Sequence, residues 1–268
     1  MRLCDRFKKD GDFLFRNRSY LPLILIPIFM FVIFSFGSPL YKIEIVSYVN
    51  VSIKDIINNS NIGYYNNALI IFAIFVGLLG QSIRILVAGF VPKDTSGRNT
   101  KEQKASVLNT KGLYSTCRNP LYLGNFLMML SPVILVGNWI FVLFFIVIFW
   151  LYYERIIYAE EAFLSEKFKD EYIIWANNTP CFIPSFKNYS HSNSTFSFKS
   201  MLKREYHSLF GLASSLILVN YIIIIIMFDF KMLQPSYILC GFFIVCLIIY
   251  IICLFLSKKT NILFVENR

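Results

Sequence analysis

The chain has 268 residues, of which 56% are hydrophobic, and it carries a formal net charge of +10. Its mean hydropathy of +0.58 excludes an ordinary soluble domain and predicts an integral membrane protein. The positive charge does not indicate nucleic-acid binding, because the Lys and Arg residues lie in the gaps between apolar segments. We therefore expect the lipid bilayer as a partner and no nucleic acid.

Six apolar segments follow one another along the chain, at 20–36, 68–91, 120–136, 139–153, 209–228 and 237–256. Four of them approach or exceed the roughly 17 to 20 residues that a helix needs to cross about 30 Å of hydrocarbon. The third and fourth are shorter and only Gly137 and Asn138 separate them, which predicts a short helical hairpin. The fold class is therefore an all-α, polytopic membrane helix bundle with about six transmembrane helices.

The cations predict the orientation of these helices. They cluster in the N-terminal tail, between 93 and 118, between 155 and 204, and after 256. The positive-inside rule then places both termini and the segments 92–119 and 154–207 in the cytoplasm. The first apolar segment lacks a small-residue cleavage site and is expected to stay as a helix. The Asn-, Ile- and Lys-rich composition favours an AT-rich genome and a bacterial inner membrane.

Composition also divides the chain into four parts. Residues 1–19 form a basic cytoplasmic tail, 20–186 a membrane core, 187–206 a linker and 207–268 a C-terminal pair of membrane helices. The linker prediction follows from a stretch at 185–200 that is rich in Ser, Asn and Phe and has no periodicity. The C-terminal pair has few polar residues and is expected to serve packing or to face lipid.

The stretch "CRNPLYLGNF" at 117–126 introduces the third apolar segment. Asn119 suits the N-cap of a helix, Pro120 suits its first turn, and Arg118 can extend toward lipid phosphates. Arg118 could lower the pKa of the neighbouring Cys117 thiol, but nothing else in the sequence supports a reactive thiol. One reading of the stretch is a helix start and nothing more; the other is one wall of a pocket at the membrane surface.

A second stretch, at 158–184, begins with a pair of carboxylates. Glu160 and Glu161 follow the fourth apolar segment by a turn or two, and apolar residues at 164, 168 and 172 define one face of a cytoplasmic helix. The acidic residues then form a solvated face, or the pair binds the hydroxyls or the ammonium group of a polar ligand.

Together, "RNPLYLGN" and the later pattern "EE…L…F…Y…P.FIP" resemble the isoprenylcysteine carboxyl methyltransferase family, which is similar to the phospholipid methyltransferases. The resemblance covers residues 68 to 186. It implies a bound S-adenosylmethionine in a cytoplasm-facing pocket and a lipid tail that enters from the bilayer. Asn119 stands where the family pattern has His, so the role of that His does not carry over.

The resemblance also implies roles for single residues. The cofactor would be bound by seven of them: Asn119, Pro120, Tyr122, Leu123, Gly124, Glu160 and Glu161. Catalysis would fall to Arg118, Glu161 and Tyr172, and Arg84 would contact the head group of the substrate. No metal site is expected, because no Cys/His cluster has ligand spacing.

We therefore expect a methyltransferase that acts on a phosphate or carboxylate of a membrane-embedded lipid or lipidated substrate. The basic loop at 93–111 favours such an anionic acceptor. A sterol-reductase type of membrane enzyme shares a related signature and uses NADPH, but it lacks the Glu pair. A lipid or solute transporter is the non-enzymatic alternative, although the sequence shows no internal repeat. The sequence predicts no oligomeric state.

Overall fold

The structure is a computed structural model of the protein. It describes residues 2–36, 60–91, 105–228, 236–260 and 262–263. These ranges contain seven α-helices, two short 3₁₀ turns at Arg18–Tyr20 and Gly112–Ser115, and no strand. The helices are α1 Leu3–Arg16, α2 Leu21–Phe36, α3 Ser60–Phe90, α4 Pro120–Leu135, α5 Trp139–Asn178, α6 Phe198–Phe228 and α7 Tyr237–Lys259. The predicted all-helical bundle is confirmed.

The apolar helices coincide with the six predicted segments. Within the described ranges α3, α5, α6 and α7 are long and apolar enough to cross a membrane, and α2 and α4 contribute shorter apolar helices. Residues 37–59, 92–104 and 229–235 lie outside the described residues. They include the loops expected on the outer side and most of the basic loop at 93–111, so the predicted orientation stays a prediction.

The turn between α4 and α5 is built as the sequence predicts. Gly137 has a positive φ of 70°, and the Asn138 side chain accepts hydrogen bonds from the backbone N–H groups of Ile140 and Phe141, at 3.0 and 3.3 Å. The second arm is much longer than expected, because α5 continues for 40 residues to Asn178. No Gly or Pro occurs between Trp139 and Asn178, but the backbone leaves the helical conformation at Lys169, where φ is 48°, so α5 is kinked there.

The N-terminal tail is a helix and not an unstructured extension. One face of α1 packs against the middle of α5, where Gly11 lies directly on the backbone at Arg155. The Phe7 ring meets the Tyr158 ring edge-on at 5.9 Å between centroids. These contacts attach α1 to the part of α5 that follows its apolar half.

Two apolar clusters hold the bundle together. The larger one joins α2, α4 and α5 around Val32, Phe145 and Phe149. The other joins α3, α4, α6 and α7 around Ile70 and Leu216. Since α6 belongs to the second cluster, the C-terminal pair packs directly on the core.

One boundary and one helix crossing add detail to the sequence prediction. Helix α6 begins at Phe198, inside the segment predicted as a linker. Helices α3 and α4 cross so closely at Gly80 and Gly124 that a Cβ on Gly80 would lie 2.6 Å from the carbonyl oxygen of Gly124. This crossing fixes the start of α4, where the first sequence motif lies.

Candidate functional site

Arg118 connects the start of α4 to the end of α5. Its Nε lies 2.9 Å from Oε1 of Glu161, and its Nη2 lies 3.4 Å from Oε2 of the same carboxylate. Its Nη1 donates to the backbone carbonyls of Ala176 and Thr179, at 2.7 and 3.3 Å. The guanidinium therefore holds Glu161 in place against the last turn of α5, through the bidentate geometry that arginine favours.

Backbone and side-chain hydrogen bonds join the segment before α4 to the segment around the end of α5. The indole N–H of Trp175 donates to the carbonyl of Tyr114 at 3.2 Å. The N–H of Ser185 donates to the carbonyl of Thr116 at 2.9 Å. The two sequence motifs are therefore neighbours in the folded chain, as the predicted pocket requires.

Asn119 occupies the N-cap position of α4 and Pro120 is the first residue of that helix, as predicted. The Asn119 side chain makes no capping hydrogen bond. Its Nδ2 donates instead to the carbonyl of Cys181, at 3.1 Å, because the segment after α5 passes beside it. The thiol of Cys181 lies 3.8 Å from Oε1 of Glu161, which places Asn119 at the edge of the same site.

The two thiols near the site are poor nucleophiles. Burial raises the pKa of Cys117 to about 11, although Arg118 is its neighbour in the sequence. Burial, followed by the charge of Glu161, also raises the pKa of Cys181. Both side chains are therefore protonated thiols at neutral pH.

Glu160 and Glu161 face different neighbours, because successive residues of a helix point about 100° apart. Glu160 is half-buried, and the hydroxyl of Tyr122 and the charge of Arg18 act on it. Burial raises the pKa of Glu160 to about 7, although Tyr122 and Arg18 work in the opposite direction. The neighbours of Glu160 balance its negative charge only in part. This carboxylate is therefore suited to bind a ligand group that is cationic or rich in hydrogen-bond donors.

Tyr172 is the third residue predicted to be catalytic, and it lies beside Glu161. Its side chain is buried, and its hydroxyl forms no hydrogen bond of standard geometry among the described residues, although the Glu161 carboxylate lies close enough to act on it. A buried hydroxyl without a partner is costly, and such groups commonly mark places where a ligand or water completes the hydrogen bonding. The structure therefore brings Arg118, Glu161 and Tyr172 together.

Tyr122 begins a chain of contacts that leads from Glu160 into the bundle. Its ring packs on that of Tyr153 at 4.9 Å between centroids, and the Tyr153 hydroxyl is hydrogen-bonded to Asn125. Oδ1 of Asn125 accepts in turn from Nη1 of Arg84. Asn125 directly follows Gly124 in the first motif, yet sequence reasoning did not single it out.

Arg84 lies against a buried carboxylate that the sequence analysis missed. Its Nε is 2.8 Å from Oε2 of Glu205 on α6, and its Nη2 is 3.2 Å from Oε1. Gln81 and Ser208 also donate to Glu205, at 3.3 and 2.7 Å. A contact between Arg84 and a substrate head group stays a prediction, and any such ligand would share Arg84 with Glu205.

The two other residues of the first motif lie on α4. The Cα of Gly124 backs onto the aliphatic part of Arg84 and the backbone of Gly80, so its missing side chain serves helix packing. Leu123 is half-buried. Cofactor contacts for Leu123 and Gly124 stay predictions.

With this geometry in place, the comparison with protein families is decisive. Residues 68–171 match the phospholipid methyltransferase family. We call this segment the methyltransferase region, after the family that it matches. The match contains Arg84, the whole of α4 and the Glu160–Glu161 pair, and it ends just before Tyr172. Helices α1, α2, α6 and α7 lie outside the methyltransferase region.

Known relatives also match part of the chain. The protein-S-isoprenylcysteine O-methyltransferases of Schizosaccharomyces pombe and Saccharomyces cerevisiae are 34% and 35% identical over 85 residues, which is 32% of this chain and 36% of each yeast protein. The cobalt-zinc-cadmium resistance protein CzcN of Cupriavidus metallidurans is 32% identical over 114 residues, 42% of this chain and 50% of that protein. The chain thus spans between a third and half of the length of these relatives. No solved structure matches it.

Proposed function

We propose that the protein is an S-adenosylmethionine-dependent membrane methyltransferase. One observation carries the proposal. In the methyltransferase region, burial raises the pKa of Glu160 to about 7. The next residue, Glu161, is held by Arg118 beside the buried hydroxyl of Tyr172. These groups meet where α4 begins and where α5 leaves its apolar half. A polar cofactor and an apolar acceptor can both reach such a place.

The residues present fit the cofactor. S-adenosylmethionine, when bound, supplies an electrophilic methyl group on a sulfonium. Glu160 would bind its cationic amino group, and the Tyr172 hydroxyl would donate to its carboxylate or accept from its ribose hydroxyls. Arg118 would act by holding Glu161 in place, since its own donors are already directed at protein acceptors. Methyl transfer needs little acid–base catalysis when the acceptor is an anion, so positioning and electrostatics carry most of the rate.

We propose an anionic oxygen on a membrane-embedded molecule as the acceptor. Two findings support this choice: the yeast relatives are named O-methyltransferases, and the matching family is named for phospholipids. The basic loop at 93–111 adds the charge that would attract a phosphate or carboxylate. A lipid phosphate is the first candidate and a lipidated carboxylate the second.

Methylation of a lipid amine is a second candidate, and one observation favours it. An amine is cationic at neutral pH and needs a base to free its lone pair. Neither histidine was expected to act as this base. The pKa of Glu160, raised to about 7, gives that carboxylate the basicity that the reaction would need.

Binding of the cofactor can be tested without knowing the acceptor. Calorimetry on the purified protein in lipid nanodiscs should show binding of S-adenosylmethionine, and Glu160→Gln and Glu161→Gln should each weaken it. Loss of a charge-assisted hydrogen bond is worth roughly 1.5 to 3 kcal/mol, about ten- to a hundred-fold in affinity. Glu171→Gln, an exposed carboxylate further along α5, is the matched control. Binding of NADPH in place of S-adenosylmethionine would instead support a reductase.

The acceptor can be found by lipid mass spectrometry. Membranes from cells with and without the gene should differ by one added CH₂ on a lipid, and fragmentation should place it on a phosphate or carboxylate. A gain only on an amine would select the second candidate. An unchanged lipidome, with a methylated protein C-terminus, would move the acceptor to a lipidated protein.

We also propose that both termini lie in the cytoplasm, so that the site faces the cofactor pool. A reporter that is active only in the cytoplasm should give signal after the C-terminal residue and none after residue 60. Equal signals at the two positions would contradict the proposed orientation.

A further inference from the structure

Helix α1 has a basic face on the side that does not pack against α5. Its members are Arg2 at the N-cap, Arg6, Lys9, Phe13 and Arg16, and all five are exposed. They recur at intervals of four and three residues, so they fall within an arc of about 80° on a helix that turns 100° per residue. The packing residues Phe7 and Gly11 lie on the other side of α1.

An aromatic ring lies among the four cations. Phe13 is 65% exposed, which is unfavourable in water but typical of a helix whose face enters a membrane interface. Asp5, Asp10 and Asp12 offset part of the charge of α1, which together with Arg2 keeps five cations against these three carboxylates. Asp5 pairs with Arg2 at 3.1 Å, and Asp10 lies 4.0 Å from Arg155 of α5.

The position of α1 in the chain brings this face close to the bilayer. After α1 the chain turns through Arg18–Tyr20 and enters the apolar helix α2 directly. The Tyr152 hydroxyl, at the end of the apolar half of α5, donates to the carbonyl of Asn17 at 3.0 Å. The C-terminal end of α1 is therefore fixed at the level where two apolar helices end.

We propose that the basic face of α1 docks on anionic phospholipid head groups of the membrane that the protein spans. Charge complementarity selects the occupant: cations near an anionic leaflet gain attraction, and Phe13 can insert its ring between head groups. Each cation in contact contributes about a fivefold change in the docking equilibrium, which corresponds to about 1 kcal/mol. The inference does not depend on methyl transfer.

A photo-crosslinking experiment tests the docking on the full-length protein. Phe13 is replaced by benzoylphenylalanine, and the protein is placed in nanodiscs of phosphatidylcholine alone or of phosphatidylcholine with phosphatidylglycerol. Mass spectrometry should find phosphatidylglycerol attached at position 13 in the mixed bilayer. The yield should fall by at least about fivefold with Arg6→Gln, Lys9→Gln and Arg16→Gln combined, and it should also fall at high salt in the wild-type background.

The matched control removes the same charge elsewhere. Lys167→Gln, Lys187→Gln and Lys199→Gln affect three exposed lysines outside α1 and should leave the yield unchanged. Amide hydrogen exchange of the α1 peptides checks that the helix persists in both triple variants. Equal yields with and without phosphatidylglycerol, or an unaffected α1 triple variant, would overturn the proposal, as would crosslinking to an added RNA oligonucleotide in place of lipid.

Discussion

Two arginine–glutamate pairs organise this molecule, and they differ in burial and in the parts of the chain they join. Arg118 and Glu161 lie 2.9 Å apart, with 19% and 28% of their side chains exposed. Arg84 and Glu205 lie 2.8 Å apart, but Glu205 is only 4% exposed. Both partners of the first pair belong to the methyltransferase region, whereas Glu205 comes from α6 beyond it.

The difference separates a pair that shapes a site from a pair that holds helices together. A partly exposed ion pair adds little stability, so we expect the first pair to matter for what it positions. A buried pair costs several kcal/mol to desolvate, and losing one partner leaves an uncompensated charge. Arg84 and Glu205 should therefore dominate stability, and Arg118 and Glu161 should dominate activity.

The largest expected effect is on stability, in Glu205→Met. This change leaves Arg84 without its buried carboxylate and should destabilise the protein by about 3 to 5 kcal/mol. Thermal unfolding in detergent, followed by circular dichroism, measures the loss. Arg84→Met combined with Glu205→Met should recover most of the stability, because two apolar side chains then fill the gap. A double variant as unstable as the single one would show that the pair itself is not the cause.

The next effect concerns activity, in Arg118→Lys. Lysine keeps the charge but cannot hold both oxygens of Glu161 and the carbonyl of Ala176 at once. We expect turnover to fall by roughly ten- to a hundred-fold, the value of a charge-assisted hydrogen bond. Stability should change by only about 1 kcal/mol. Steady-state kinetics and thermal unfolding of the same samples measure both. Wild-type turnover would support the reading of this stretch as a helix start alone.

A third effect comes from the crossing of α3 and α4. In Gly80→Ala the new Cβ would meet the Gly124 carbonyl at 2.6 Å and the Leu127 Cβ at 2.8 Å. Overpacking of this kind typically costs about 1 to 3 kcal/mol. Gly211→Ala on α6 is the matched control, because nothing lies within 4 Å of that Cβ. It should be neutral or stabilising by up to about 1 kcal/mol through helix propensity. Equal Tm values for the two variants would contradict the close crossing.

Most of the fold could be predicted because apolar length reports membrane helices directly. The six segments and the Gly137–Asn138 turn follow from composition and local geometry. The amphipathic helix predicted from residues 164, 168 and 172 lies in the second half of α5. Its continuity with the apolar half and the helix α1 were missed, since polar helices leave no hydropathy signal. An amphipathic pattern was present in α1, with Phe7, Gly11 and Phe15 on one face.

The site was predictable only where a sequence motif named its residues. The two motifs named Arg118, Glu161 and Tyr172, and the structure brings these three together. Glu205 could not be paired with Arg84 from sequence, because 121 residues separate them. The available signal was the position of Glu205 at the edge of an apolar segment. A carboxylate there is rarely buried without a partner, so a partner could have been sought.

The smallest effect is the most specific to the site, and it concerns pH. Burial raises the pKa of Glu160 to about 7, so the carboxyl is neutral below that pH and ionised above it. Only the ionised form attracts a cationic amino group, so affinity for S-adenosylmethionine should rise with pH. From pH 6 to pH 8 the ionised fraction of a group with this pKa grows about tenfold, which sets the expected gain.

The amino group of S-adenosylmethionine also titrates. The quantity to follow is therefore the affinity of the wild type divided by the affinity of Glu160→Gln at each pH. That ratio should rise through neutral pH and level off above it, whereas Glu171→Gln should follow the wild type throughout. Tyr122→Phe sharpens the assignment, because the Tyr122 hydroxyl lowers the pKa of Glu160. Its removal should move the midpoint to higher pH. A ratio that stays flat from pH 6 to pH 8 would mean that Glu160 does not bind the amino group. The amino group would then be expected to bind near the Arg118–Glu161 pair.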